Sequence, residues 1–288
     1  MVTDPPGSCL AISAGSSLSP QAVRQGLDTR CLGRQGIHCF DLLPSTNSEA
    51  KRLALRGAPE GTIVLAETQS RGRGRLRRHW ASPSGKGLYL SVILRPQVPP
   101  EWGARTTLVA GVALAVAIEQ LGIRPSLKWP NDVMMGHRKV AGILTEASFQ
   151  ENRMASIVVG VGVNVNAREE DFPPSIRELA TSLRLSAGRS VPRLALLQRI
   201  LCQLEAWYGL LCQGAFERIL ETWRDYESIL DSLVEVSLPG SRLLGMAEDI
   251  DPDGRLLVRD SRGRLHRIMA GDVVHCRSKG RNSGWPLE

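Results

Sequence analysis

The sequence predicts an α/β (α+β) fold, in which a mixed, largely antiparallel sheet packs against helices and a small β-barrel module follows. Between residues 126 and 166, apolar runs are joined by short polar turns, a pattern that favours antiparallel strands. Residues 105–121 form an almost wholly apolar helical segment, which must be buried. In residues 232–278, short strand patterns are interrupted by Asp/Gly turns, as in small β-barrels.

The composition is that of a globular chain with a basic excess. Of the 288 residues, 42% are apolar and 23% are charged, which excludes collagen-like, mucin-like and wholly disordered proteins. Lys and Arg number 36 and Asp and Glu 29, so the net charge is +7. This excess indicates an anionic partner, without distinguishing nucleic acid, nucleotide and acidic protein.

Cysteine usage and apolar run lengths predict a cytoplasmic protein that makes no membrane contact. The longest apolar run, residues 108–118, is well short of the roughly 20 residues that cross a bilayer. No secretory signal pattern opens the chain. Six dispersed cysteines form no C-x-x-C pair, so we expect reduced, mostly buried thiols.

The elements before residue 123 can be placed from local signals. Residues 1–36 are predicted to form a flexible arm, rich in Ser, Gly and Pro up to residue 19, with one short helix after it. A helix opens at Ser45-Thr46-Asn47, where Thr46 and Glu49 have capping-box spacing. The elements that follow are a strand at 62–67, an Arg/Gly loop at 70–79, a strand at 88–94 and the helix 105–121, closed by Gly122.

The second half of the chain predicts three strands, two helices and the β-module. The strands are placed at 126–129, 139–147 and 156–166, and the helices at 193–212 and 215–230. The resulting domain prediction is an arm at 1–36, a catalytic domain at 37–231, a small domain at 232–278 and a tail at 279–288.

The Arg/Gly loop is the first candidate functional motif. It carries five arginines within residues 71–78, interleaved with Gly72 and Gly74. Glycine lets the backbone approach a ligand closely, and arginine forks bind carboxylate or phosphate oxygens in pairs. Such a loop can hold two anions together. Taken alone, the pattern favours the simpler alternative of a nucleic-acid contact or a solvated basic loop.

Two further motifs place polar groups at strand ends. In Lys128-Trp129-Pro130-Asn131-Asp132, the proline fixes the strand exit, and the Asn-Asp pair suits either a plain tight turn or contact with a metal, a phosphate or an amine. In the segment 138–146, Lys139 opens an apolar strand. The side chain of this lysine either points into a cleft or lies at a sheet edge, where its charge opposes aggregation.

The strand 156–166 has two chemically different faces. Period-two alternation places four valines on one side, and Gly160, Gly162, Asn164 and Asn166 on the other. The glycine face is flat and ends in amides, so it suits a planar ring or close packing of another element.

In this order, the motifs resemble those of the biotin protein ligase family. The matching segments are S-T-N at 45–47, Q-x-x-G-R-G-R at 69–75, K-W-P-N-D at 128–132, R-K-x-A-G-I-L-x-E at 138–146 and G-V-G-V-N at 160–164. The resemblance covers residues 37–277. It implies a class II aminoacyl-tRNA synthetase-like domain with a C-terminal SH3-like β-barrel.

The resemblance also implies a two-step reaction. Biotin and ATP first give biotinyl-adenylate and pyrophosphate with the help of Mg²⁺, and a lysine of a carrier protein then attacks the mixed anhydride. The implied partner is the biotin carboxyl carrier protein of acetyl-CoA carboxylase. The enzyme would be a monomer or a homodimer.

The resemblance assigns roles residue by residue. Lys139, Arg75 and Asp132 are the expected catalytic residues, with Asp132 orienting either the incoming lysine or a metal such as Mg²⁺. The expected biotin-binding residues are Ser45, Thr46, Asn47, Gln69, Gly72, Arg73, Gly74, Arg75 and Lys139. The expected ATP and adenylate contacts are Arg73, Arg75, Arg78, Trp80, Lys128, Asn131 and Asn164.

The sequence departs from the family pattern in two places. Arg77 stands where the family pattern R-G-R-x-G-R-x-W has Gly. We expect Arg77 to adopt ordinary backbone angles and to add a cation near the phosphates, although left-handed strain is the alternative. The segment before residue 37 leaves no room for the helix-turn-helix of repressing members, so a ligase-only protein is expected.

Two rival functions remain open at this point. A lipoate ligase or acyltransferase shares the fold but does not need both the G-R-G-R and K-W-P-N-D motifs. A nucleic-acid-binding module would need aromatic platforms beside the arginines, and only Trp80 and Tyr89 are near. We therefore expect no sequence-specific nucleic-acid binding.

Overall fold

The structure is a computed structural model that describes residues 18–97, 99, 102–150, 153–238 and 240–275. Within these residues the strands form two sheets. The strands of the first sheet are β1 Ile37–Leu43, β2 Ile63–Gln69, β3 Gly87–Leu94, β4 Ser126–Lys128, β5 Asp132–Met135, β6 Arg138–Gln150 and β7 Arg153–Asn164. Their spatial order is β1-β2-β3-β7-β6-β5-β4. The β1–β2 pair is parallel and the other pairs are antiparallel, which confirms the predicted mixed sheet.

The helices of the described chain cover both faces of this sheet. They are α1 Pro20–Arg24, α2 Thr46–Leu55, α3 Gly103–Glu119, α4 Leu183–Ala187, α5 Arg193–Cys212 and α6 Phe216–Tyr226. The apolar helix α3 lies in the main core with α5, α6 and the valines at 159, 161 and 163 of β7. Helix α2 packs through Ala50 and Ala54 on the opposite face, against Val64, Ile93 and Val158.

The second sheet is antiparallel and lies at the C-terminal end of the described chain. Its strands are β8 Ser232–Leu238, β9 Ser241–Ile250, β10 Leu256–Arg259, β11 Leu265–Ile268 and β12 Asp272–His275. Their order is β11-β10-β9-β8-β12. We call these residues, 232–275, the C-terminal module. Its buried side chains, among them Val234, Val236 and Val258, join the main core.

Polar contacts tie the C-terminal module to the turn between β4 and β5 and to the helices α3 and α6. The Trp129 indole, only 2% exposed, donates from Nε1 to the Gly254 carbonyl at 3.1 Å. Arg105 Nη2 lies 3.0 Å from Asp253 Oδ1, and Arg224 Nε lies 2.9 Å from Asp249 Oδ1. The module is thus held in a fixed place beside the strand turn that contains Trp129.

Some local predictions were wrong. Strands β1 and β5 were not predicted, because β1 does not alternate cleanly and β5 has only four residues. The helix predicted at 215–230 ends at Tyr226. The capping-box prediction also fails: the N-cap of α2 is Ser45, whose side chain makes no capping bond. Glu49 instead bonds Arg52 through two oxygens.

The cysteine prediction was wrong on burial. None of the four cysteines within the described residues forms a disulfide, but Cys31, Cys39 and Cys202 are half-buried and Cys212 is exposed. Burial raises the pKa of the Cys39 thiol to about 11, with the Glu67 charge adding to the effect. Cys9 and Cys276, together with residues 1–17 of the predicted arm and the predicted tail at 279–288, lie outside the described residues.

We expect Trp129→Phe to weaken folding by about 1–3 kcal/mol, because the Gly254 carbonyl would lose a buried donor. Urea unfolding of the variant measures this loss. Trp207→Phe is a matched control, since Trp207 Nε1 donates to Gln203 at 3.2 Å within α5. Equal losses in the two variants would show that the contact between the sheets adds no special stability.

Candidate active site

A single cavity of about 470 Å³ gathers nearly every predicted site residue. It lies on the α2 side of the sheet, bounded by the Arg/Gly loop, the turn between β4 and β5, and the first residues of β12. Of the predicted residues, those lining it are Ser45, Thr46, Asn47, Gln69, Arg73, Gly74, Arg75, Arg78, Trp80, Lys128, Asn131, Asp132, Lys139 and Asn164. Gly72 is the exception.

Gly72 packs against Trp80 at the base of the Arg/Gly loop, outside the cavity lining. Its carbonyl accepts from the Trp80 amide at 2.9 Å. A Cβ at this position would lie 2.4 Å from the Trp80 carbonyl oxygen. The glycine is therefore required for backbone packing, and the structure does not place it on the cavity wall.

One end of the cavity is lined by buried hydroxyl and amide groups at the start of α2. Ser45, Thr46 and Asn47 are each less than 5% exposed. The Thr46 amide donates to Gln69 Oε1 at 2.9 Å. Ser91 Oγ lies 2.6 Å from Asn47 Oδ1 and 2.9 Å from Thr46 Oγ1. These bonds fix the side chains in one arrangement, which suits recognition of a small polar ring.

Glu146 organises this end, although sequence reasoning gave it no role. It accepts from Asn47 Nδ2 at 2.9 Å, from Lys51 Nζ at 3.1 Å and from Arg73 Nη2 at 2.7 Å. Burial raises the pKa of Glu146, but the hydrogen bonds from Asn47 and Lys51, with the Arg73 charge, outweigh burial and hold the pKa below its usual value. The available signal was its place as the last residue of the 138–146 motif.

The middle of the cavity is rich in cations. Lys139 Nζ lies 2.5 Å from Asp132 Oδ1. Arg75 Nη1 donates to Asn131 Oδ1 at 3.0 Å, and Asn131 in turn donates to the Ile143 carbonyl. Burial lowers the pKa of the Arg75 guanidinium and of the Lys128 ammonium. Cations that are partly withdrawn from water interact strongly with an incoming anion.

The glycine face of β7 forms the floor. A Cβ at Gly160 would lie 1.9 Å from Asn47 Oδ1, and one at Gly162 would lie 2.6 Å from the Trp80 ring. Both glycines are therefore needed for close approach. The Trp80 Nε1 atom is buried and has no hydrogen-bond partner among the residues that the structure describes. Lys139 Nζ lies 5.5 Å from the Trp80 ring centre.

The opposite end has an apolar wall that sequence reasoning missed. It consists of Phe172, Ile176, Leu179 and Ala180. These residues lie in a segment of turns and two short 3-10 helices, Glu169–Asp171 and Pro174–Ile176, whose sequence has no helical or strand periodicity, which explains why no pattern revealed them. The segment joins the sheet through Lys139, whose amide donates to the Leu179 carbonyl at 2.8 Å. Nearby, Asn164 Nδ2 donates to the Thr181 carbonyl at 3.1 Å.

Comparison with known proteins identifies the family. The profile of the Biotin/lipoate A/B protein ligase family matches residues 39–164, and that of the Biotin protein ligase C terminal domain matches residues 230–276. The bifunctional ligase/repressor BirA of Bacillus subtilis is 36% identical over 263 residues, 91% of this chain and 80% of that protein. The chain belongs to the biotin protein ligase family. The predicted family, fold class and enzyme class are thereby confirmed.

Two further relatives agree with this membership. The biotin–[acetyl-CoA-carboxylase] ligase of Mycobacterium tuberculosis is 37% identical over 241 residues, 81% of this chain and 86% of that protein. The solved biotin protein ligase of Aquifex aeolicus in complex with biotin and ATP has a TM-score of 0.72 at 29% identity, over 85% of this chain and all of that one. No helix among the described residues is both long and apolar enough to span a membrane.

The loop of this biotin protein ligase corrects the prediction for Arg77. Arg77 has φ 58° and Leu76 has φ 54°, so both residues are left-handed. The expectation of ordinary backbone angles was wrong, because the loop turns between Arg75 and Arg78 in a geometry that suits glycine. Left-handed backbone costs an L-residue about 1–2 kcal/mol.

We expect Arg77→Gly to stabilise the protein by up to about 1 kcal/mol, since relief of about 1–2 kcal/mol of strain exceeds the extra chain entropy of glycine, about 0.5–1 kcal/mol. The melting temperature of the ligand-free protein tests this. Arg77→Ala is the matched control, because it removes the charge and keeps the Cβ. Stabilisation by Ala as large as that by Gly would assign the effect to charge.

Proposed function

We propose that the chain joins biotin to a lysine of a carrier protein by way of biotinyl-5′-adenylate, with the cavity residues in the roles given below. The observation that carries these assignments is the polarity of the cavity. One end of the cavity, which we call the closed end, is lined by the buried hydroxyls and amides at the start of α2. A cluster of cations separates it from the apolar wall at the opposite end. This order matches biotin, carboxyl–phosphate junction and adenine along one line.

The closed end suits the ureido ring of biotin. A ureido group has one carbonyl acceptor and two N–H donors, and Ser45, Thr46, Asn47 and Gln69 offer both kinds of partner. The apolar remainder of biotin would lie over the glycine face of β7, beside Asn47 and the Trp80 ring, which pack on that face. Arg73 and Gly74 would close over the chain, with Arg73 held beside the site by Glu146.

The cation cluster suits the first chemical step. The biotin carboxylate attacks the α-phosphorus of ATP, the α–β bridging oxygen leaves with pyrophosphate, and the developing negative charge must be stabilised. Lys139 lies at the junction, where it would contact the carboxylate and the α-phosphate. Arg75, Arg78, Lys128 and Asn131 would hold the phosphates, and Trp80 and Asn164 the adenylate.

In the second step, a lysine ε-amine attacks the carbonyl carbon of the anhydride, and AMP leaves. The amine must first lose a proton, and Asp132 is the carboxylate at the junction. Asp132 would orient the incoming amine, a role supported by its bond to Lys139. A role of Asp132 toward a metal is the alternative.

Mg²⁺ is proposed as a partner of the ATP phosphates. No group of three or more His, Cys, Asp or Glu side chains suited to a metal occurs within the described residues. Mg²⁺ at nucleotide sites is commonly held by substrate phosphates with one or two carboxylates, a donor set that Asp132 and ATP fit. The ion would supply charge neutralisation on the phosphates.

The proposed protein substrate is the biotin carboxyl carrier protein of acetyl-CoA carboxylase, since the relative from Mycobacterium tuberculosis is named for that enzyme. We further propose a cytoplasmic enzyme with a catalytic domain at 37–231 and an SH3-like domain at 232–278, acting as a monomer or homodimer without sequence-specific nucleic-acid binding. Incubation with labelled biotin, ATP and a carrier domain tests the proposed function. Failure to label the carrier lysine would refute it.

We expect Lys139→Ala to abolish adenylate formation in a folded protein. Removal of the junction cation costs about 2–4 kcal/mol of transition-state stabilisation. Biotin-dependent exchange of labelled pyrophosphate into ATP measures this step alone. Lys86→Ala is the control, because Lys86 lies outside the cavity lining and only approaches Asp171, at 3.8 Å. Exchange at the wild-type rate in the Lys139 variant would contradict the assignment.

We expect Arg75→Gly to release biotinyl-adenylate, because its guanidinium would close over the anhydride. The visible result is biotin on bystander proteins such as serum albumin, detected by blotting. Arg71→Gly is the matched control, since Arg71 belongs to the same loop and does not line the cavity. Labelling confined to the carrier in the Arg75 variant would show that Arg75 does not retain the adenylate.

A further inference from the structure

Asp272 brings a negative charge from the C-terminal module to the Arg/Gly loop. It is the first residue of β12 and lines the cavity together with Val273 and Val274. Its Oδ2 accepts from Arg78 Nη2 in a close ion pair. The preceding residue, Gly271, offers its carbonyl to Arg75 Nη1 at 3.4 Å. The module thus contacts the loop through two arginines.

The charge of Asp272 reaches the cations at the centre of the cavity. At both Arg75 and Lys128, burial lowers the pKa, and the Asp272 charge opposes that effect. The carboxylate therefore faces three positive groups, Arg75, Arg78 and Lys128, in a region where we propose that ATP phosphates bind. It belongs to neither the closed end nor the apolar wall.

The ion pair between Arg78 and Asp272 can be replaced by a contact between Arg78 and phosphate. The Arg78 side chain is 68% exposed, whereas that of Asp272 is 25% exposed. An exposed ion pair contributes little free energy, and a triphosphate carries several charges with geometry suited to arginine forks. Phosphate oxygens can therefore replace the carboxylate at Arg78 at small cost.

We propose that Asp272 is a positioning residue that stands in for the triphosphate: its carboxylate holds Arg78 beside the phosphate site until ATP binds and displaces it. The inference rests on the proposed function. It means that the C-terminal module competes with phosphate for the loop. After the chemical step, the same carboxylate competes with pyrophosphate for Arg78. This competition favours release of pyrophosphate over its retention.

The test is a calorimetric titration of the biotin-saturated enzyme with α,β-methylene-ATP in the presence of Mg²⁺. This analogue cannot form the adenylate, so binding alone is measured. We expect Asp272→Asn to bind the analogue about threefold more tightly than the wild type, the size of an exposed ion pair. Affinity for adenosine, which has no phosphates, should not change. Equal or weaker binding of the analogue by Asp272→Asn would overturn the proposal.

Two control variants distinguish the loss of the Asp272 charge from a general loosening of the C-terminal module. Asp253→Asn also removes an ion pair between the module and an arginine, Arg105, outside the cation cluster, so its affinity for the analogue should equal that of the wild type. Asp272→Glu keeps the charge and should restore most of the wild-type affinity. An equal gain in Asp253→Asn would also overturn the proposal. Biotin-dependent pyrophosphate exchange by the wild type tests the proposed function separately.

Discussion

Concentration of positive charge in a partly dry cavity is the constraint on which the rest of the site depends. A carboxylate and a triphosphate repel each other, so cations must surround their junction. Burial of Arg75 and Lys128 makes those cations effective and also makes them costly to hold together. Two carboxylates oppose that cost, since the charges of Asp132 and Asp272 raise the pKa of both groups against the effect of burial. Asp132 also pairs with Lys139, and Asp272 with Arg78.

The sheet makes this arrangement possible because β7 presents a surface without side chains. Gly160 and Gly162 let Asn47 and the Trp80 ring approach the backbone to within distances that any Cβ would block. On the other face of the same strand, valines join the core beside α3. One strand thus joins the buried core on one face and forms the floor of the cavity on the other.

The sequence predicted the features that depend on local pattern. Alternation in 156–166 revealed the two faces of β7, and motif order revealed the family. Features that depend on distant contacts were missed: Glu146 acquires its role only when α2 lies beside β6, and Asp272 only when the C-terminal module docks. Arg77 was assigned ordinary angles although the family pattern has Gly at that position, and that glycine already indicated a left-handed residue.

The central claim is that this cavity converts biotin and ATP to biotinyl-adenylate. Substrate selectivity in the adenylation step tests that claim most directly. The family profile includes lipoate ligases, whereas the closed end carries hydroxyls and amides that suit a ureido ring, and the dithiolane of lipoate offers them no comparable hydrogen-bond partner. Exchange of labelled pyrophosphate into ATP should be measured with each acid in turn. The account predicts exchange with biotin and none above background with lipoate. Exchange that depends on lipoate and not on biotin would contradict it.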